Sequence, residues 1–315
     1  MIKFLLKKLL RFTRNRNFKN KRNLVKQILG NKNLRLLDVG AAGGVENFQD
    51  EWQPFLKNII LILCEPHKGS LEKIKKHNLR IIDKALSNEK KLNNIFYETK
   101  KPECSGLKEP NKDYLKKFPE VDRFDIIKKS NIETSTIDHE FNLKNFPHFV
   151  KIDTEGSELD ILKGGEKILE NILGLVVEIN FFDFHKNQVK FEEIKNFLSN
   201  KKIELIDFTR TVKWERHNHR HHGQIQVADT LFLRSPENLL LKYNAKSIDL
   251  DVVRFYVTIL IVYNRSDYIN FLLKKMNSEE KKVLLLEECY NVVEKSVKKI
   301  HLIEKMSKLA FKYLI

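Results

Sequence analysis

Glycine is scarce in this chain, 11 residues in 315, and three of them crowd one turn: Gly40, Gly43 and Gly44 in LLDVGAAGGVENF. Glycine tolerates positive φ and lets a ligand approach main-chain N–H groups, so a cofactor is expected to lie against that turn. The G-x-G-x-x-G spacing of dinucleotide sites is absent there, which argues against a nicotinamide cofactor. Cysteine is scarce as well. Cys64, Cys104 and Cys289 stand too far apart for a disulfide framework or a zinc pattern, and a reducing, cytoplasmic compartment is the simplest reading. No apolar run reaches bilayer length; FYVTILIVY is too short, and lysines interrupt every apolar run near the amino terminus. Residues 1–28 lack Asp and Glu but hold ten Lys or Arg, out of a formal net charge of +16. Such a basic amphipathic start suits an anionic membrane surface, with peripheral attachment at the inner face as the expectation, or packing of its leucines on the body. Residues 237–315 contain neither glycine nor proline.

Continuous apolar runs at 34–39, 59–64, 79–84, 149–153, 175–179 and 203–208 alternate with helical stretches at 69–77, 157–170 and 189–199. The run 225–233 reads as an antiparallel strand. This rhythm predicts an α/β fold built on a doubly wound, mostly parallel sheet. The expected organisation is a basic segment over 1–30, a catalytic domain over 31–236, and a C-terminal region over 237–315 of two or three helices, a candidate surface for homo-oligomers. Ser157 followed by Asp160 resembles a capping box. The polar stretch 90–135, with Pro102, Pro110 and Pro119, is either functional or carries small elements of its own.

The chemistry falls at strand ends. Asp38 precedes the glycine turn; Glu65 follows the second strand, where a carboxylate can accept both hydroxyls of a ribose. Asp83, Ala85 and Leu86 could border an adenine. Asp153, Glu155 and Glu158 follow the fourth strand, where capping could use one of the three and packing none. In RHNHRHHG, four histidines (His217, His219, His221, His222) fall within six residues; a basic loop at the mouth of the pocket is the favoured reading over a metal site, because only Glu215 could complete the ligands.

LLDVGAAGG, LCEP, KALSN, STIDHEF and above all KIDTEGSELDILKGG, in that order and ending at ADTLFLR, resemble the FkbM family of S-adenosylmethionine-dependent methyltransferases over residues 34–234. The resemblance implies a Rossmann-like methyltransferase sheet and methyl transfer to oxygen, often on sugars or glycosylated products. Many members carry an asparagine where this chain has Ala42, Gly43 and Gly44, so contacts of that side chain do not transfer. The cofactor expected is adenosylmethionine, held by Asp38, Gly40, Ala41, Gly43, Glu65, Pro66, Asp83, Ala85, Leu86 and Asp153, with the methionine end over Gly40 and Ala41 and no metal. Carboxylates favour the positive sulfonium. The candidate bases are Asp153 and Glu155, followed by Glu178 and His185. The expected acceptor is a sugar or glycan; nucleic acid, suggested by the charge, lacks the interleaved aromatics that would support it.

Overall fold

The structure is a computed structural model describing residues 18–42, 44, 51–67, 69–70, 79–216 and 223–312. The chain divides into two compact units, one formed by 35–48 and 60–235, the other by the remaining stretches up to 34, over 49–59 and from 236 onward.

The first unit is a mixed α/β sandwich around one sheet. Its strands are β1 (Leu34–Val39), β2 (Ile59–Cys64), β3 (Arg80–Ile82), β4 (Ala85–Leu86), β5 (Lys91–Thr99), β6 (Ile126–Ser135), β7 (Phe149–Ile152), β8 (Gly174–Asn180), β9 (Ile203–Trp214) and β10 (Gln224–Arg234). Seven of them make a sheet in the order β3-β2-β1-β7-β8-β10-β9. β7 runs parallel to both β1 and β8, and β2 parallel to β3. Only β10 is antiparallel, paired with β8 on one side and β9 on the other. The expected doubly wound methyltransferase sheet with a late antiparallel strand is therefore present. Leu37, Val39, Ile62, Val150, Ile152, Leu175 and Val177 form its buried centre, as continuous apolar strands covered on both faces require. The chain passes from β1 outward to β3 and then returns to β7 on the other side of β1. The β1–β7 boundary is thus the switch point, where the carboxyl ends of strands part to receive a ligand.

Three details differ from the sequence expectation. The third strand ends at Ile82 instead of 84, because the chain turns there and Ala85–Leu86 pair with β6 in a second sheet, β4-β6-β5. That sheet is made largely by the polar stretch 90–135. The helix expected over 157–170 is two short pieces, Glu158–Lys163 and Glu166–Leu169. They break at Gly164, whose ideal Cβ would lie 2.0 Å from the Ser87 carbonyl oxygen, so close passage of the chain sets the residue and ends the helix. β9 extends to Trp214, past the apolar run, because β10 pairs with it along its length while one face stays exposed. The helix expected at 69–77 falls mostly outside the described residues.

The second unit is helical. Residues 18–29 form a helix that buries Leu24, Val25, Ile28 and Leu29, and its Lys21 ammonium donates to Asn264 Oδ1 at 2.6 Å. Residues 1–17, including most of the basic start, lie outside the described residues. After Pro236 there are five helices: Pro236–Asn244, Leu250–Val262, Ser266–Lys275, Ser278–Val283 and Leu286–Lys312. Two or three were expected, because a stretch without glycine or proline shows no obvious stops. The breaks instead use left-handed Lys246, Asn264 and Leu285, with Asp249 and Asn277 capping the helices that follow. FYVTILIVY is the core of the Leu250–Val262 helix, buried nearly all round. No helix among the described residues is long and apolar enough to cross a membrane.

Candidate active site

β1 delivers Asp38 and then Gly40, whose φ is +87°. A Cβ on Gly40 would stand 1.8 Å from the carbonyl oxygen of Asp153, so glycine is required here by the close approach of two strand ends. The N–H groups of Gly40 and Ala41 both donate to the Cys64 carbonyl, at 3.0 and 3.2 Å. They are therefore occupied within the fold. Ala41 is buried beneath the surface, whereas Ala42 lines the cleft above. Gly43 lies outside the described residues.

That cleft brings together Gly40, Glu65, Pro66, Ala85, Leu86 and Asp153, six of the expected cofactor residues, from four different strand ends. Asp38 and Asp83 are not part of its wall: Asp38 is buried below it and Asp83 is exposed. Glu65 is 3% exposed, and its Oε1 accepts from the His67 N–H at 2.7 Å. Burial pushes its carboxyl up to about 7, against the pull of that N–H.

Beneath the floor lies Lys151, on β7 directly beside Asp38, with its ammonium 3.1 Å from Asp38 and 3.3 Å from Asp153. Burial disfavours its charge, yet the two aspartates more than offset this and hold it above the usual lysine range. Asp38 is thus the anchor of a buried cation. The three acids of DTEGSE then divide their work. Glu158 is buried and its Oε1 accepts from the Thr154 N–H, the Thr154 hydroxyl and the Gly156 N–H, at 3.1 to 3.2 Å, which ties the loop. The Ser157 capping box is not formed: the Ser157 hydroxyl has no hydrogen-bond partner and Asp160 pairs with Lys108 at 2.8 Å. Glu158 reaches the loop N–H groups first.

Glu155 sits in the left-handed region at φ +57°, held there by this tied loop, with 16% of its side chain exposed. Burial, then the neighbouring Asp153 and Glu158, raise its carboxyl to about 8. His185 Nε2 is 3.4 Å from Glu155 Oε2, and burial keeps that ring neutral by lowering it to about 4. Glu178, on β8, is pushed well above the carboxylate range by burial and by Asp153 and Glu155.

Behind Asp153 and Glu155 opens a second cavity, with Glu178, Asn180, Arg123, Phe184 and Trp214 in its wall. Phe184 and Trp214 stack with centroids 4.7 Å apart. Asp153 and Glu155 line both cavities.

A model of the methyltransferase FkbM domain matches residues 38–205, just over half the chain. The chain belongs to the FkbM methyltransferase family. Among solved structures it is similar to methyltransferase FkbM from Methylobacillus flagellatus, at 16% identity and TM-score 0.36, over 64% of this chain and 43% of that one. The chain therefore spans less than half the length of that protein. A Streptococcus pneumoniae protein described as a tRNA methyltransferase matches at 11% identity and TM-score 0.32, over 84% of this chain and 92% of that one. Precorrin-6y C5,15-methyltransferase from Geobacter metallireducens matches at 12% and 0.29, over 64% and 78%. No curated protein matches. The fold assignment stands on strand order, and the family on its domain.

Sequence reading missed Lys151, which looks like a solvated position of a strand, and Arg123 and Trp214, which lie far from any motif and meet only through the small sheet and the β9–β10 hairpin. Among the described residues no group of three or more His, Cys, Asp or Glu is placed to hold a metal ion. The histidine-rich loop, His217 to His222, lies outside them.

Proposed function

We propose that this FkbM-family chain is an S-adenosylmethionine-dependent O-methyltransferase acting on a sugar hydroxyl of a glycan or glycosylated metabolite. The observation that carries the reading is the shared wall: Asp153 and Glu155 face a cleft at the strand ends on one side and a second cavity on the other. The first cleft fits adenosylmethionine by its chemistry. Glu65 offers a desolvated carboxylate to ribose hydroxyls, while Ala85, Leu86 and Phe96 supply an apolar wall for an adenine. When bound, adenosylmethionine supplies an electrophilic methyl group. The second cavity offers what a sugar needs, an apolar wall that includes Trp214 and Phe184 and polar edges in Asn180 and Glu178.

A sugar hydroxyl becomes a good nucleophile only as its proton leaves, so the chain must hold a base beside it. Glu155 in its carboxylate form takes that proton; Asp153, fixed by Lys151, orients the acceptor oxygen. With the Glu155 carboxyl at about 8, its ionised fraction grows with pH, and turnover should climb up to about pH 8. The basic residues ahead of 18, six Lys or Arg without an acid, support peripheral contact with an anionic membrane that carries the acceptor.

Labelled adenosylmethionine and cell-envelope extract test the proposal. Label should enter carbohydrate as an ether stable to mild alkali. Asp153→Asn and Glu155→Gln should keep cofactor affinity within severalfold, and at least one should slow turnover about a hundredfold. Label in nucleic acid, protein or an alkali-labile ester refutes the reading, and normal turnover by both variants refutes the base.

A further inference from the structure

The second cavity has a charge pattern that the methyl-transfer chemistry does not use. Of its buried acids, Asp153 is tied to Lys151, and burial pushes Glu155 and Glu178 towards their neutral forms, while Glu103 lies exposed at the rim beside Lys101. Its cations are unequal. Arg210 pairs with Asp229 at 3.7 Å. Arg123 makes no ion pair among the described residues, and its Nε is buried without a hydrogen-bond partner. Its guanidinium is nevertheless held in place, 4.5 Å from the centroid of Trp214 and 4.9 Å from that of Phe124. A guanidinium stacked on aromatic rings has already lost its rotamer freedom and presents a rigid fork of donors. Buried donors of this kind are satisfied in nearly every folded protein. Lys101, on the same wall, is likewise without an ion pair among the described residues.

A neutral sugar would leave the Arg123 charge uncompensated inside a filled cavity. A carboxylate or phosphate would compensate it, because its paired oxygens match the guanidinium fork. We infer that the acceptor is an anionic sugar, with its carboxylate or phosphate on Arg123 and its ring against Trp214 and Phe184. Because the cavity is shared through Asp153 and Glu155, this anchor would hold the acceptor by the end away from the reacting hydroxyl. The inference rests on the methyltransferase reading of the site for the word acceptor, though the anion preference can be measured separately.

Calorimetry on the full chain, with and without saturating adenosylhomocysteine, tests it against glucuronate, galacturonate, glucose 1-phosphate and glucose at low salt. At least one anionic sugar should bind about tenfold or more tighter than glucose. The uronates and the sugar phosphate tell which anion is meant. Arg123→Gln should erase the preference and Arg123→Lys retain part of it, with adenosylhomocysteine affinity unchanged in both. Should Arg123→Gln fail to fold, the wild type decides: raising NaCl from ~50 to ~500 mM should weaken anionic-sugar binding severalfold and leave adenosylhomocysteine unaffected. Equal binding of glucose, no binding of any anionic sugar, a preference that survives Arg123→Gln, or salt insensitivity each overturns the inference. Failure of adenosylhomocysteine to bind overturns the methyltransferase reading instead, and leaves the cofactor-free titration to decide the anion site.

Discussion

Replacing Glu65 with glutamine should separate what that carboxylate costs the fold from what it contributes to cofactor binding. Glu65 is 3% exposed, and burial raises its carboxyl from 4.5 to about 7. The folded-state value lies above the unfolded one, so the proton is held more tightly in the folded protein. Stability linked to this group is complete below about pH 4.5 and is lost as pH rises towards 7. The shift of ~2.5 units corresponds to about 3 kcal/mol lost by pH 8. Glutamine keeps an oxygen for the His67 N–H but carries no charge, so Glu65→Gln should stabilise the cofactor-free protein at pH 8 by about 1–3 kcal/mol and raise its thermal midpoint. Cofactor binding should show the opposite. Ribose hydroxyls donate to the ionised form, and a hydrogen bond to a charged group is worth about 1.5–3 kcal/mol, so at pH 8 the variant should bind adenosylhomocysteine about ten to a hundred times more weakly. Below about pH 7 the wild type must first give up a proton. Its affinity should fall by up to tenfold per unit until, near pH 5.5, it approaches that of the variant. Calorimetric titrations between about pH 5.5 and 8.5, with denaturation of the free proteins at both ends, measure all of this. A wild-type affinity flat across that range, or a variant whose pH slope parallels it, refutes a ribose-binding role for Glu65.

Two further outcomes follow from the geometry. Gly40→Ala should cost about 3 kcal/mol or more, since its Cβ would meet the Asp153 carbonyl at 1.8 Å in a left-handed conformation. Gly30→Ala, also left-handed but with no atom within 4 Å, should cost only about 1–2 kcal/mol in the same urea titration; equal losses would show that the contact is not what demands Gly40. Removing residues 1–17, which spares the buried face of the 18–29 helix, should leave adenosylhomocysteine binding intact and reduce salt-sensitive sedimentation with anionic vesicles, whereas unchanged sedimentation would exclude a membrane role for that segment.

The sheet was legible because burial on both faces leaves a plain signature. β1 and β2 read directly as apolar runs between polar residues, and the alternation in β10 marked it as different from its neighbours. The helical unit was legible in kind and not in number. Helix ends are ordinarily signalled by glycine or proline, and here left-handed Lys246, Asn264 and Leu285 replace them, so the pattern runs on through three breaks. In the helix 18–29 the packing of leucines was legible, but Lys21 is buried and bonded to Asn264, 243 residues on, which a basic leader gives no cause to expect.

At the site, the grouping of residues around the cleft was readable because most of them come one or two positions after strand ends, where topology alone brings them together. The individual duties of the acids were not readable, because they depend on which carboxylate reaches which N–H. D-x-E-G-x-E could have meant three interchangeable acids. Instead Glu158 spends its oxygen on the loop, and that tie holds Glu155 at a positive φ and Gly156 against the ring of His185, within 3.3 Å of an added Cβ. The loop in turn fixes Glu155 where burial and its acidic neighbours raise it to about 8. Strain, tie and raised carboxyl are therefore one device: a left-handed glutamate costs about 1–2 kcal/mol and is tolerable only because Glu158 supplies three hydrogen bonds in the same turn. What the sequence displays as a string of acids is, in the folded chain, one structural carboxylate holding another, with its pKa raised, between two cavities.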